Sequence, residues 1–289
     1  MIKIIDIHCH LTFEQYNADR EQVVAGAKKV LKAVVTSGVE PGDARLALEL
    51  AERHEGFVFA TLGLHPIHVA GLTGQEVGEY AEFVSENRRR IVGIGEVGLD
   101  YHWVRDPLKV KKTKEVFVEF LGLAKELGLP VVLHLRGSGS GSGSGTSSGA
   151  LEEGLKTLLD EDIKKGKAVF HCFTGKPQLA ERICEEGYFV SLPASIVRSK
   201  TMKKVAKRIP LSSLLTETDA PYLSPVESEG EGAGEGAGED EGTEKRRRNV
   251  PQNVKAVYEE VARQRKTEVP AVEREVERNF ERVFGVVVR

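Results

Sequence analysis

Short apolar runs recur along the chain near residues 2–9, 32–37, 57–63, 91–97, 130–135, 167–172, 188–192 and 212–218, and each reads as a strand. Most are apolar at consecutive rather than alternate positions, the pattern of strands covered on both faces. Between them, apolar residues fall at helical spacing. The clearest helix spans about 107–128, where Val110, Thr113, Phe117, Phe120, Leu121, Ala124 and Leu127 form one stripe and Gly128 ends it. Thr73 and Glu76 have capping-box spacing and predict a helix over 74–87. Val272, Val276, Phe280, Val283 and Phe284 give the last helix a single buried stripe. Eight parallel strands with returning helices predict an α/β fold of TIM (β/α)8 barrel type, with an open doubly wound sheet as the alternative.

Two stretches depart from this pattern. Residues 137–149 (GSGSGSGSGTSSG) carry no apolar side chain to bury and predict a flexible coil with the composition of an installed linker. Residues 227–244 place eight acidic residues among glycines and lead into the basic run Lys245 to Arg248. Without these two segments the chain approaches the ~250 residues of a bare barrel, so residues 1–289 are expected to form one domain with two flexible insertions.

Composition narrows the setting. Hydrophobic residues make up 40% of the chain, enough for a large core, yet no apolar run is long enough to span a bilayer. The chain opens directly on a strand, without the succession of a secretory signal, so a cytoplasmic location is expected. Cys9, Cys172 and Cys184 are odd in number, lack CxxC spacing and lie in apolar surroundings, which predicts reduced, packed thiols. A net charge of −3 favours no particular partner.

The chemistry lies at the ends of the apolar runs. Alternate strand residues share a face, so Asp6, His8 and His10 point one way and Ile5, Ile7 and Cys9 the other. Later runs end on or near Glu96, His134, His171 and Asp219. A barrel brings all its strand ends around one mouth, where these imidazoles and carboxylates form a donor set for divalent metal and predict metal-assisted hydrolysis.

In order, the segments DIHCHL (6–11), GLHPIHV (63–69), GEVGLDY (95–101), PVVLHLR (130–136), HCFTG (171–175), TETDAPYL (216–223) and RRNVP (247–251) resemble the TatD family of metal-dependent deoxyribonucleases. HCFTG and ETDAPYL together are specific to that family, whereas HxH alone is shared with many amidohydrolase-type barrels. The resemblance implies a TIM barrel holding two divalent metal ions and cleaving phosphodiester bonds in DNA, often as a 3′ to 5′ exonuclease on single strands or 3′ ends. It implies that His8, His10 and Asp219 hold one metal, that His134 and His171 hold the second, and that Glu96 bridges them. Zn, Mn and Mg all accept such donors. Asp219 is further expected to take the proton of the attacking water.

Other residues are assigned lesser roles. His65, in GLHP, is expected to hydrogen-bond a substrate phosphate or else to cap the loop that Pro66 begins, and His68 has a weaker claim. Arg136 is expected to fork onto a phosphate or to form a rim salt bridge. Asp6 is expected to orient a ligand from behind. Tyr101, His102 and Trp103 are expected either to stack on a base or to pack their loop. His54 reads as solvated.

The chain departs from the family in two places. Gly137 and Ser138 stand where an aspartate and alanine usually begin a helix, and Val250 replaces a glutamate. The acidic tract would repel a polyanion unless Lys245 to Arg248 screen it. Two other functions remain open: a deacylase on the same site, for example on D-aminoacyl-tRNA, and a binding protein with little turnover.

Overall fold

In the computed structural model, residues 4–138, 148–225 and 248–288 are described. Eight parallel strands form one sheet in chain order: β1 (Ile4–Cys9), β2 (Leu31–Gly38), β3 (Val58–Leu62), β4 (Gly93–Asp100), β5 (Val131–Arg136), β6 (Ala168–Phe170), β7 (Phe189–Leu192) and β8 (Leu214–Thr216). The helices are α1 (Arg20–Lys28), α2 (Pro41–Arg53), α3 (Pro66–Val69), α4 (Gly74–Glu86), α5 (Pro107–Leu127), α6 (Ser148–Asp160), α7 (Pro177–Glu185), α8 (Lys200–Arg208), α9 (Lys255–Arg265) and α10 (Val269–Phe284). This is the expected TIM barrel, not the open sheet. The ring closes just past β8, where the Asp219 N–H donates to the His8 carbonyl (3.0 Å) and the His10 N–H to the Ala220 carbonyl (2.7 Å).

Helix signals in the sequence correspond to observed contacts. Thr73 caps α4 in a reciprocal capping box with Glu76. The Asp106 carboxylate accepts from the Leu108 and Lys109 N–H groups at the start of α5, and Gly128 stops that helix in the left-handed region at φ 69°. The α10 stripe is buried, with Phe280 inaccessible to solvent and its ring 6.0 Å from that of Phe59. Burial of one such ring contributes about 1.5–3 kcal/mol. No helix among the described residues is long and apolar enough to cross a membrane.

Three expectations need correction. Strands β6 and β8 stop before His171 and Asp219, which lie on turns, and Asp219 and Cys172 adopt positive φ values of 55° and 46°. Cys172 is therefore half-buried on a turn and not packed inside a strand, although none of the three cysteines is in a disulfide. Finally, α6 begins at Ser148, inside the predicted coil, because its buried face starts at Ala150 and needs a preceding turn. Gly137 and Ser138 lie outside helix and strand, while the rest of that coil and the whole acidic tract 227–244 fall outside the described residues.

Strand β4 runs three residues past its predicted end, and Gly98 is what its close pairing with β5 requires. It sits at φ 146°, where a Cβ would lie 2.1 Å from the His134 carbonyl oxygen. Gly98→Ala is expected to cost about 2–3 kcal/mol and to lower the melting temperature by roughly 5–10 °C. A thermal unfolding midpoint within a degree of the parent would refute this.

The barrel mouth is also tied down on the far side of residues 226–247. The Asn249 N–H donates to the Pro221 carbonyl (3.0 Å), and its side-chain amide donates to the carbonyls of Thr218 (3.1 Å) and Tyr222 (2.7 Å). Arg248 forks onto both oxygens of Asp19 (2.8 and 2.6 Å) and stands over the Tyr16 ring.

Candidate metal centre

Buried Glu96 lies between two pairs of histidines. Its Oε1 is 3.1 Å from His8 Nε2 and 3.3 Å from His10 Nε2, while its Oε2 is 3.2 Å from His134 Nδ1 and 3.0 Å from His171 Nε2. Asp219 Oδ1 lies 3.3 Å from His10 Nε2 and 3.8 Å from His8 Nε2. Donors from β1 and the residue after it, from β4 and β5, and from the turns after β6 and β8 thus meet at one place, as strand order alone suggested.

Electrostatics explains how this cluster coexists. Burial alone would raise the Glu96 pKa, but the adjacent His171, His8 and His10, with a hydrogen bond from His134, hold it well below the carboxylate range. Burial likewise pushes Asp219 up, and the hydrogen bond and charge of His10 overcome it, bringing Asp219 down to about 2. For His134 burial opposes the charged form, yet hydrogen bonds to Asp100 and Glu96 raise its pKa to about 9. His8, by contrast, is shifted down by burial and by His171. Ionised carboxylates among partly protonated imidazoles make a site in which protons would leave as a cation enters.

The donors suit a divalent metal. His8 Nε2 and His10 Nε2 lie 3.4 Å apart, a spacing at which two N–H groups would repel, and both face the same carboxylate oxygen. The sets His8, His10, Glu96 and Glu96, His134, His171 each present one ligand atom per residue close enough to hold an ion, as does His8, His171, Asp219. Imidazole with carboxylate is a donor set for zinc or manganese.

Behind the site stand residues that the sequence reading missed. Asp100 Oδ2 is 3.0 Å from His134 Nε2, so it holds the proton there and leaves Nδ1 turned to Glu96. Glu217 Oε1 is 3.4 Å from His171 Nδ1 and accepts the Cys172 N–H at 2.6 Å. Ser37 links His8 Nδ1 (3.3 Å) to Thr61 (2.7 Å). Strand parity could have flagged Asp100, four residues past Glu96, and Glu217, two before Asp219. Asp100→Asn is expected to lower kcat/KM about 10–100-fold. Steady-state kinetics giving less than a twofold change would refute the assignment.

The lesser assignments divide. His65 caps α3, accepting from the Ile67 N–H at 3.3 Å, while its Nε2 stands 3.9 Å from Glu96 Oε2 and its ring 4.1 Å from that of His134. Burial and His134 push its pKa well down, so it faces the site as a neutral imidazole. His68 instead pairs with Glu40 (3.3 Å). Arg136 ends β5 with its guanidinium 5.9 Å from the Trp103 ring centre. Asp6 acts behind the site, but on Thr218 and not on a ligand ring: it accepts the Thr218 N–H (2.9 Å) and hydroxyl (2.6 Å), bracing the turn that carries Asp219. Tyr101 donates its hydroxyl to Glu153 (2.5 Å) and packs its loop, whereas Trp103 is half exposed. His54 is not simply solvated, since it pairs with Glu21 (3.0 Å).

Comparison with known proteins agrees with this architecture. Residues 5–285 match the family described as TatD related DNase. A metal-dependent hydrolase of Methanocaldococcus jannaschii is 31% identical, covering 98% of this chain and 97% of its own. The 3′-5′ ssDNA/RNA exonuclease TatD of Pantoea ananatis is 28% identical, covering 98% and 100%. Among solved structures, YjjV, a TatD homologue from Escherichia coli, superposes with a TM-score of 0.79 at 24% identity, covering 99% of both chains.

Proposed function

The chain belongs to the TatD-related DNase family, and we propose that it is a metal-dependent hydrolase of phosphodiester bonds in DNA that works from the 3′ ends of single strands. The observation that carries this reading is Glu96, whose two oxygens each face one pair of imidazoles. His8, His10 and Asp219 would hold one divalent ion, His134 and His171 a second, and Glu96 would contact both. Such ions, Zn, Mn or Mg, acidify water and stabilise attacking and leaving oxygens in phosphoryl transfer. The named activity of the Pantoea ananatis relative supports the direction and strandedness.

The chain's own residues supply the rest. Asp219, with a pKa of about 2, is ionised throughout the physiological range, and from its place beside that ion it would accept the proton of an attacking water. Its contact with His10 Nε2 at 3.3 Å keeps it oriented. His65 Nε2 faces the site beside His134 and would hydrogen-bond a phosphate oxygen, and Arg136 would grip the next phosphate from the rim. Asp100 and Glu217 hold His134 and His171 in place.

Chelation is expected to abolish release of nucleotides from 3′-ended single-stranded DNA, and added manganese or zinc to restore it. Aminoacyl-tRNA esters should remain intact. Ester cleavage with DNA left whole under every metal would replace this reading by the deacylase.

A further inference from the structure

Two exposed aromatic rings stand on opposite walls of the barrel mouth. Trp103, 50% exposed, follows β4, and Tyr222, 42% exposed, follows β8. In a closed ring of eight strands in chain order, β4 and β8 face each other across the axis.

Both rings are fastened to the metal centre through main chain. The Trp103 and His102 N–H groups donate to Asp100 Oδ1 at 2.9 Å, while the other oxygen of the same carboxylate holds His134. The Tyr222 N–H donates to the Asp219 carbonyl (2.9 Å), and the Tyr222 carbonyl accepts from the Asn249 side chain (2.7 Å). The Tyr222 ring further packs at a steep angle near His10 (6.4 Å) and Phe13 (6.0 Å). The main chain of each aromatic residue is thus tied to the carboxylate and imidazole cluster, and the Arg136 guanidinium lies 5.9 Å from the Trp103 ring centre.

We infer that Trp103 and Tyr222 are stacking platforms for unpaired nucleobases on either side of the metal centre. Every base has a π-face, so two such rings would grip a strand without regard to sequence. Bases already paired and stacked within a duplex cannot present those faces. This rests on the nucleic-acid reading above and adds to it the two residues that hold the unpaired bases.

The chain has a single tryptophan, so its fluorescence reports on this one platform. The metal-loaded protein is titrated with a phosphorothioate oligothymidylate, which resists cleavage, and with a phosphorothioate strand of the same length made wholly of abasic units. The thymidylate is expected to quench the emission and the abasic strand to leave it unchanged. Tyr222→Ala should raise Kd for the thymidylate about five- to one-hundred-fold, with Tyr222→Phe restoring it and neither variant altering abasic-strand binding. Trp103→Ala, followed by anisotropy of a labelled strand, should weaken binding to a similar degree. Equal quenching by both strands, or by a blunt duplex, would overturn the proposal, as would binding of the thymidylate without any quenching. A failure of the nucleic-acid reading shows differently, as no binding of either strand.

Discussion

Glu96→Gln is expected to reduce nuclease activity by at least ~10³-fold, beyond the ~10–100-fold associated with residues one layer behind a metal. The carboxylate presents equivalent oxygens to the two histidine pairs. A glutamine keeps the shape but offers oxygen to one pair and an amide NH2 to the other, so the two halves cannot be served alike. It also removes the negative charge that balances the buried imidazoles beside it. Breaking such a buried arrangement by removing one partner costs about 3–5 kcal/mol. Metal analysis should therefore find less bound metal per chain, and chelated protein should melt lower than chelated parent. Full metal content with activity within tenfold of the parent would remove Glu96 from the centre of the scheme.

Asp219→Asn should lower kcat by ~10²–10⁴-fold, the range for loss of a positioned proton acceptor, with a smaller change in KM. Asparagine is the appropriate replacement on structural grounds. Residue 219 sits at φ 55°, and among side chains longer than glycine's, asparagine and aspartate tolerate that region best. The variant should therefore keep the turn, including the Asp219 N–H to His8 carbonyl bond that closes the barrel. Because Glu96 and the histidines remain, metal content should change less than in Glu96→Gln. Unchanged turnover at saturating substrate would deny Asp219 the role of proton acceptor.

These residues were legible because barrel topology turns strand order into proximity. Glu96, His134, His171 and Asp219 lie far in sequence from one another and from the His8 and His10 pair, yet all sit where a strand, or the turn after it, reaches the mouth. The long helix over 107–127 was readable for a different reason, since seven positions at helical spacing and a terminal Gly128 leave little room for another period. Harder to read were the ends of β6 and β8, because His171, Cys172 and Asp219 continue apolar runs while their backbone turns away through positive φ at Cys172 and Asp219. Composition carries no sign of that. Asp100 and Glu217 escaped because an acid at a strand end looks the same whether it faces a cation or backs an imidazole. Only distances of 3.0 Å to His134 and 3.4 Å to His171 distinguish them. Arg136 and Trp103 could be placed on the rim from sequence, but their contact with each other could not.

Residues 225 and 248 are the two feet of the stretch whose interior lies outside the described chain, and both feet are anchored independently of it. Asn249 stitches the outgoing strand back to Pro221 and Tyr222, and Arg248 is bolted to Asp19. Closing a longer connection between points already held together costs only about 0.6 kcal/mol for each doubling of its length. A longer or shorter connection between residues 225 and 248 is therefore expected to leave the turn bearing Asp219 almost unaffected.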